Sequence, residues 1–370
     1  MINNKQIHRD LLWFTITSAL LIVIGLIFIY SSSSVYALEK HGSAHFFVMQ
    51  QLQGVFIGLI ILFMALLAPS SLIKRFSPLL FYGSLGLTAL TCIPHLAHRI
   101  HGSQRWLTLA GFTFQPSELL KITFIMYCAY FFSKKQYQGA SFARTFIPFI
   151  VIVGLVGGVL LLQPDFGQAV TITTTACILF FIMYGTNRYF LYTLLAGIPL
   201  TLLLIFIKPY RVKRILTFLN PWDDPQGAGF QIIQSLIAIG SGHWLGVGIG
   251  QSKQKFFYLP MQHTDFIFSI IAEETGFLGA TLLLFIYLFF LYKGIRLALK
   301  MTDLFTALVI LGFTLLISIQ AGINIAVTTG LLPTKGLGLP FISYGKSALI
   351  CNISMLGIII NQVLFQDDHQ

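Results

Sequence analysis

The sequence predicts an all-α polytopic membrane protein with about ten transmembrane helices, and two observations support this fold class. Hydrophobic residues make up 56% of the 370 residues and charged residues only 9%, whereas a soluble domain carries about 25% charged residues. Apolar runs of about 18 residues or more recur along the chain, and each is long enough to cross about 30 Å of hydrocarbon as a helix. The short alternating segments that indicate a membrane β-barrel do not occur.

The apolar runs give approximate bounds for each span. The first run is too long for the core of a signal peptide and lacks a clear small-residue cleavage site, so we interpret it as a retained span. No linker or repeat divides the chain, and we expect residues 1–370 to form a single integral membrane domain, with a large extracytoplasmic loop at 208–263 between spans 7 and 8. The predicted spans cover about 11–30, 47–68, 77–96, 117–133, 146–163, 169–185, 189–207, 264–292, 304–325 and 346–365.

Basic residues predict the orientation of these spans. The net charge of +11 would suit nucleic-acid binding, but many basic residues fall in short connections between spans, where they determine topology instead. By the positive-inside rule both termini are expected in the cytoplasm, and nucleic acid is not an expected partner. The basic residues that predict this orientation are Lys5, Arg9, Lys74, Arg75, Lys134, Lys135, Arg144, Arg188, Lys293, Arg296 and Lys300.

Carboxylates near the spans are the candidates for chemistry, because the chain has only 12 acidic residues and an ionisable group in a span usually faces a cavity or a partner. Asp265 lies where the chain enters an apolar run, and it is our first candidate for the reactive group; a helix cap is the competing interpretation. Glu273 and Glu274 follow about two turns later. At about 100° per residue, one of them is expected to share the cavity of Asp265 while the other needs a different partner.

Two more carboxylates lie at span edges. Glu118 and Lys121 are three residues apart at the start of a predicted helix, so they share one face; they form either a self-neutralising pair that steadies the helix or part of a functional cavity. Pro116 and Ser117 indicate where that helix begins. Asp165 lies in a tight turn between two spans, where it either caps a helix or lines a cavity.

The long loop contains cations and one short apolar segment. Arg211, Lys213 and Arg214 either contact a phosphate-bearing head group or anchor the loop to anionic lipid, and the same two roles are open to Arg105. The segment 229–240 is too short to span and predicts an amphipathic helix on the outer leaflet or a re-entrant piece packed on the bundle. The Gly- and Pro-rich segment 331–349 is expected to be buried or to line a cavity.

Short polar motifs are distributed along the chain: Gly102-Ser-Gln-Arg-Trp106, Phe114-Gln-Pro-Ser-Glu-Leu-Leu-Lys121, Gln163-Pro-Asp-Phe-Gly167, Asn220-Pro-Trp-Asp-Asp-Pro225 with Gly227-Ala-Gly-Phe-Gln231, His263-Thr-Asp-Phe-Ile-Phe268 and Leu339-Pro-Phe-Ile-Ser-Tyr-Gly345. Together and in this order they resemble the SEDS family (shape, elongation, division and sporulation) of peptidoglycan glycosyltransferases. The segments 248–260 and 332–336 look closer to the division branch (FtsW-like) than to the elongation branch (RodA-like).

The resemblance implies about ten spans with cytoplasmic termini and polymerisation of lipid II, the undecaprenyl-pyrophosphate-linked disaccharide pentapeptide, at the outer face of the bacterial inner membrane and at the division septum. It implies that Asp265 is the catalytic carboxylate and that Glu118, Lys121 and Asp165 line the same cavity. A divalent cation, Mg²⁺ or Mn²⁺, is expected, with Asp265 or Glu118 as its candidate ligand. The expected partners are a class B penicillin-binding protein transpeptidase, other proteins of the division (or elongation) complex, and membrane lipid.

The expected substrate-binding set also includes Arg105, Arg211, Arg214, Ser343 and Lys346. Lys346 departs from the family pattern, which usually has a second glycine after Ser343-Tyr-Gly345. This additional cation is expected either to contact substrate or to mark a branch with altered regulation.

Glycosyl transfer requires a base for the acceptor hydroxyl and positive charge for the departing pyrophosphate. Our hypothesis is that Asp265 is the base, with inversion at C1 of the donor, and that Lys121, Arg211, Arg214 or a metal holds the diphosphate. The main competing hypothesis is a lipid II flippase, although the paired halves typical of many transporters are not evident in the sequence. An elongation-type polymerase and a non-catalytic scaffold are two further hypotheses.

Overall fold

The computed structural model describes residues 4–93, 98–100, 103–109, 112–134, 142–185, 206, 209–255, 259–260 and 262–365. In these ranges, three short strands and one 3-10 turn accompany the helices. The strands are β1 (His98–Ile100), β2 (Ser103–Leu109) and β3 (Phe112–Phe114), and the 3-10 turn is Pro221–Asp223. The α-helices of these ranges are α1 (Asn4–His41), α2 (Phe46–Leu67), α3 (Ser70–Leu90), α4 (Pro116–Ser133), α5 (Phe142–Leu162), α6 (Phe166–Tyr184), α7 (Pro209–Leu219), α8 (Phe230–Ser241), α9 (Ile267–Ala298), α10 (Leu304–Thr328) and α11 (Lys346–Leu364).

The helices confirm a polytopic all-α membrane fold. Each predicted span coincides with a helix except the one at 189–207, which lies almost entirely outside the described residues. Within the described ranges, seven helices are long and apolar enough to cross a membrane: α1, α2, α5, α6, α9, α10 and α11. Helices α3 and α4 have 21 and 18 residues but are less apolar. The chain is therefore a multi-pass membrane protein.

The interior of the bundle is built around α4, α10 and α11. Helix α4 packs against α3, α6 and α10, and most of its residues are buried. Because its polar residues contact protein instead of lipid, this helix does not need to be apolar on every face. The central position of this helix explains why Glu118 and Lys121 are buried.

Helix α1 is longer than predicted. It continues through Ser31, Ser32 and Ser33 to His41, so the helix extends well beyond the predicted span at about 11–30. The hydroxyl of Ser33 donates a 2.6 Å hydrogen bond to the carbonyl oxygen of Ile29, and Ser31 donates to the Glu274 carboxylate on α9 at 2.6 Å. Serine hydroxyls that bond back to the preceding turn or to a neighbouring helix are compatible with a buried helix.

The segment expected as a plain connection around 97–116 contains a small antiparallel sheet. Strand β2 lies between β1 and β3, with His98 opposite Trp106 and Leu107 opposite Phe114. The sheet leads directly into α4, which begins at Pro116 as predicted. It also holds Arg105, which lies on β2, near the start of α4.

The short apolar segment of the long loop forms α8, and it packs on the bundle. The Ser235 hydroxyl lies 2.6 Å from that of Ser269 on α9 and donates to the Thr328 carbonyl oxygen at 2.7 Å. Ile232 and Ile233 are buried with it. Of the two predicted arrangements, the packed helix is confirmed.

Helix α9 is kinked at Gly276, whose φ of 69° and ψ of −168° belong to a region reserved for glycine. The kink releases backbone groups that pair with the segment 243–248. The amide of Phe277 donates to the His243 carbonyl oxygen at 2.8 Å, and the amide of Val247 donates to the Glu273 carbonyl oxygen at 3.0 Å. The backbone groups that the kink leaves without helical partners are therefore hydrogen-bonded to the segment 243–248.

Replacement of Gly276 by alanine should destabilise the fold strongly. A β-carbon there would lie 2.3 Å from the Gly246 amide nitrogen, in addition to the unfavourable φ, so we expect a loss of about 3 kcal/mol or more. The melting temperature of the purified protein in detergent measures this loss.

The control is Gly322→Ala on α10, where a β-carbon meets no atom within 4 Å. This variant should melt no lower than the wild type, because alanine is more favourable than glycine inside a helix. Equal melting temperatures for Gly276→Ala and wild type would contradict the proposed role of the kink.

Candidate active site

Asp265 lies in the turn that precedes α9, and it is not a helix cap. Helix α9 begins at Ile267 with Phe266 at its N-cap, and no side chain caps it. The Asp265 backbone is fixed instead by Asn324 of α10, whose amide nitrogen donates to the Asp265 carbonyl oxygen at 2.8 Å and to the Leu337 carbonyl oxygen at 2.6 Å. Among the described residues, no group donates a hydrogen bond to the Asp265 carboxylate, which leaves it available for a ligand.

A cavity of about 270 Å³ lies in front of this carboxylate. The segment after α10 forms one wall, and a β-carbon at Gly336 would lie 3.6 Å from Asp265 Oδ2. Arg214 of α7 reaches the same wall and donates to the Thr334 carbonyl oxygen at 3.3 Å. The described lining residues are Arg214, Gln231, Asp265, Phe266, Val327, Thr334, Lys335, Gly336 and Leu337. The cavity therefore combines one carboxylate with two cationic side chains.

A second, buried polar cluster lies beside the cavity. Lys121 Nζ is 2.7 Å from Glu118 Oε2 and donates to Gln320 Oε1 at 3.2 Å. The other oxygen of Glu118 accepts a 2.5 Å hydrogen bond from Gln168. The backbone amide of Gln168 in turn donates to Asp165 Oδ1 at 3.3 Å. Glu118, Lys121 and Asp165 thus lie in one network, but none of them is among the described residues that line the cavity of Asp265, where the family resemblance placed them.

Arg105 also belongs to this network through its contact with Asp165. Its guanidinium lies 3.6 Å from Asp165 Oδ2, and it donates to the carbonyl oxygens of Gln163 and Pro164 at 3.1 and 2.5 Å. Asp165 therefore has the predicted capping role at α6 and pairs with Arg105 in the polar cluster, but it is not among the described residues that line the cavity.

Backbone contacts join the cluster to the cavity. A β-carbon at Gly167 would lie 2.9 Å from both the Lys335 carbonyl oxygen and Leu337 Cγ, so α6 begins directly against the cavity wall. Gln320, which accepts from Lys121, also donates to the Gly338 carbonyl oxygen at 2.9 Å. The two groups of residues form one continuous site.

The electrostatics of the site favour a carboxyl group that can exchange a proton near neutral pH. Burial raises the pKa of Asp265 to about 6; the charges of Arg105 and Arg214 oppose this rise, and the charge of Asp165 adds to it. Burial also raises the pKa of Asp165, and Arg105 counteracts that effect. A base with a pKa near the working pH is well suited to proton transfer.

The other predicted binding residues lie around this site in different roles. Arg211 is buried with its guanidinium 5.3 Å from the centre of the Phe166 ring, and Lys335 Nζ lies 5.7 Å from the same ring. Ser343 supports the backbone, because its hydroxyl donates to the Thr264 carbonyl oxygen and accepts from the Leu339 amide, both at 2.6 Å. Lys346 extends toward α2 and is not among the described residues that line the cavity.

Glu273 and Glu274 have a structural role. Glu273 accepts from the Ser252 hydroxyl and from the Lys253 amide, while Glu274 accepts from Ser31 and lies 3.8 Å from Lys255 Nζ. They hold the segment 252–255 against α9. The expectation that one of them shares the cavity of Asp265 is not met by the described contacts.

Lys335 and Gln231 line the cavity but were not predicted from the sequence. Both stand within segments that carry the family resemblance, 332–336 and Gly227-Ala-Gly-Phe-Gln231. Burial lowers the pKa of Lys335. A lysine in a Gly- and Pro-rich segment at the edge of a span was the signal that could have identified it.

Three comparisons place this architecture among known proteins. The FtsW/RodA/SpoVE family model, described as a cell cycle protein, matches residues 11–367, and the chain belongs to this family. A probable peptidoglycan glycosyltransferase FtsW from Geobacter sp. (strain M18) is 40% identical over 93% of this chain and 94% of that protein. Stage V sporulation protein E of Bacillus subtilis is 41% identical over 96% of this chain and 97% of that protein.

A solved structure gives the same result for the fold. It shows the structural coordination of polymerization and crosslinking by a peptidoglycan synthase complex. One of its chains superposes on this chain with a TM-score of 0.78 at 29% sequence identity. The superposition covers 96% of this chain and 97% of that chain. The similarity thus extends over essentially the whole bundle.

Removal of the Lys121 charge should destabilise the protein through Glu118. Both side chains are buried, and Lys121→Met leaves a buried carboxylate without its cation, which costs about 3–5 kcal/mol. We expect a marked fall in melting temperature in detergent.

The double variant Glu118→Gln/Lys121→Met should recover a large part of this loss, because neither charge then remains. A double variant that melts as far below the wild type as the sum of the two single variants would show that the pair is not coupled.

Proposed function

We propose that this chain is a peptidoglycan glycosyltransferase that polymerises lipid II into glycan strands, in the manner of the division-type members of its family. The observation that carries the proposal is the Asp265 carboxylate, which faces a cation-lined cavity at one end of a multi-pass bundle and accepts no hydrogen bond from the described residues. A lipid-linked sugar substrate has its reactive head group at the membrane surface and its chain in the bilayer. A site at the end of the spans suits both parts.

Asp265 acts in this proposal as the general base. It takes the proton of the acceptor sugar hydroxyl while the oxygen attacks C1 of the donor sugar with inversion. The bond from C1 to the pyrophosphate breaks, and the bonding electron pair leaves with the lipid pyrophosphate. The raised pKa of Asp265, about 6, allows the carboxylate to take the proton in this step at neutral pH.

The cations of the cavity stabilise the departing pyrophosphate. Arg214 and Lys335 line the cavity together with Asp265, and Arg105 acts electrostatically on Asp265 from the neighbouring cluster. Positive charge placed where negative charge develops lowers the barrier of the transfer step. Lys121 is committed to Glu118 and Gln320, so we assign the diphosphate to Arg214 and Lys335 in preference to Lys121.

A divalent cation fits this site only as an ion shared with the substrate. The described residues contain no cluster of three or more His, Cys, Asp or Glu side chains that could hold a metal, and both Glu118 oxygens have protein partners. Asp265 is the remaining candidate ligand, and Mg²⁺ is commonly held by one carboxylate together with substrate phosphates. Such an ion would supply additional charge for the leaving diphosphate.

The proposed setting follows from the family. We place the Asp265 end of the bundle at the outer face of the inner membrane, with both termini in the cytoplasm and the protein at the division septum. The peptidoglycan synthase complex that resembles this chain couples polymerization with crosslinking. On that basis the proposed partners are a class B penicillin-binding protein transpeptidase and other proteins of the division complex.

Replacement of Asp265 by asparagine should abolish polymerisation. The amide keeps the shape of the side chain but cannot take the acceptor proton, so we expect the rate to fall by at least about 100-fold. The measurement is glycan-strand formation from purified lipid II by the detergent-solubilised protein with its penicillin-binding partner, in magnesium and in chelator.

Asp223→Asn serves as the control, because Asp223 is an exposed carboxylate paired with Asn220 outside the cavity. Strands formed equally by wild type and Asp265→Asn would remove Asp265 from catalysis. If a folded, partnered wild-type protein forms no strands, the flippase hypothesis gains the support that the enzyme loses.

The polymerisation rate should rise with pH through the pKa of Asp265. With a pKa of about 6, only about a tenth of the carboxyl groups are ionised at pH 5 and about nine tenths at pH 7, which predicts a rise of about tenfold. Initial rates between pH 5 and pH 8 test this, with melting temperatures taken over the same range to exclude unfolding. A flat profile would contradict the role of Asp265 as the base.

A further inference from the structure

Lys346 is the residue that departs from the family pattern, and its side chain contacts α2. It is the first residue of α11, and its Nζ donates to Gln53 Oε1 at 3.2 Å. The aliphatic part of the Lys346 side chain lies along α2, because a β-carbon at Gly54 would be 3.2 Å from Lys346 Cγ. The lysine therefore crosses from α11 to α2 with its ammonium group beside Gln53.

Helices α2 and α11 pack closely along the turns that follow Gln53 and Lys346. Gly54 and Gly58 form a Gly-x-x-x-Gly pair, and a β-carbon at Gly58 would lie 2.9 Å from Ile353. On the opposite helix, a β-carbon at Gly357 would lie 2.8 Å from Leu62 Cα. Small residues of this kind allow membrane helices to approach closely. The position of Lys346 relative to α2 is consequently fixed by the packing of the two helices.

The ammonium group lies at the boundary between polar and apolar residues of α2. The residues Gln50, Gln51 and Gln53 precede this boundary, and the run 54–68 after it contains no polar side chain. Lys346 also lies at the same end of the bundle as Asp265, because Tyr344, two residues before it, donates its amide to the His263 carbonyl oxygen at 2.9 Å. A cation at such a boundary is level with the head groups of the adjacent leaflet.

A shallow, wide-open apolar groove on the outer face of α2 begins at the same place. It has a volume of about 550 Å³, and its described lining residues are Met49, Leu52, Gln53, Phe56 and Ile57. They follow the spacing of one helix face, and Phe56 is 67% exposed. Gln53 belongs both to this groove and to the contact with Lys346. The groove thus has a cation and an amide at one end and apolar side chains along its length.

We propose that Lys346, Gln53 and this groove bind an anionic phospholipid of the leaflet at the Asp265 end. The phosphodiester of the head group pairs with the Lys346 ammonium and with the Gln53 amide, and the positive end of the α11 dipole adds to the attraction. One acyl chain lies against Phe56 and Ile57. The lysine selects against zwitterionic lipids by charge, and the apolar wall selects against water-soluble phosphates.

This lipid site is separate from the proposed catalytic cavity. None of the described residues that line the groove also lines the cavity of Asp265. The lipid site therefore does not depend on the proposed glycosyl transfer, and its test requires no polymerisation assay.

The test measures lipid retention by native mass spectrometry of the purified full-length protein in detergent. Wild type should retain phosphatidylglycerol in preference to phosphatidylcholine. Lys346→Gln should retain phosphatidylglycerol about fivefold more weakly, which corresponds to about 1 kcal/mol for one lysine at a lipid surface. Lys346→Arg should keep the retention of the wild type, and Phe56→Ala should reduce it.

Lys253→Gln is the matched control, since it removes the same charge from an exposed residue whose backbone is held by Glu273. It should retain phosphatidylglycerol as the wild type does, and all variants should melt as the wild type does in detergent. Equal retention by Lys346→Gln and wild type would overturn the proposal. So would retention that depends on Lys346 for a polyprenyl diphosphate but not for phosphatidylglycerol, because the occupant would then be the carrier lipid.

Discussion

The hydrogen bonds that fix non-helical backbone at one end of the bundle are the constraint on which the site depends. In a membrane, irregular backbone is stable only where protein groups satisfy it. Here Asn324 donates to the carbonyl oxygens of Asp265 and Leu337, and Ser343 bridges Thr264 and Leu339. These side chains come from α10 and from the segment before α11. They bring the turn of Asp265 against the Gly336 backbone and so create the cavity.

The carboxylates near this backbone fall into two groups, those paired with a cation and the one that faces the cavity. Glu118 and Asp165 are neutralised by Lys121 and Arg105 within the interior, whereas Asp265 faces a space large enough for a ligand. A paired carboxylate steadies the bundle, and a carboxylate that faces a cavity is available for chemistry. The same residue type therefore has two functions in one site, and the number of donors around each carboxylate distinguishes them.

The sequence was sufficient for the parts of the fold that depend on hydropathy and on local motifs. Long apolar runs predicted the helices, and Pro116 predicted the start of α4. The span-edge charges Glu118, Lys121 and Asp165 do share one network, but none of them is among the described residues that line the Asp265 cavity. The failures depend on tertiary contacts. The helical course of Ser31–Ser33 requires acceptors on Ile29 and Glu274, and the kink at Gly276 requires the carbonyl groups of His243 and Trp244. The Glu274, His243 and Trp244 partners are distant in sequence, so no local pattern of residues predicts these contacts.

The central position of α4 also has a consequence for how the protein enters the membrane. Helices α3 and α4 are consecutive, and both are less apolar than the seven helices among the described residues that are long and apolar enough to cross a membrane. Their contacts include Ser84 with Thr123, at 2.5 Å, and the stacked rings of Phe81 and Tyr127, at 4.5 Å. Each helix therefore covers polar groups of the other, and placing the two together in lipid costs less free energy than placing either one alone.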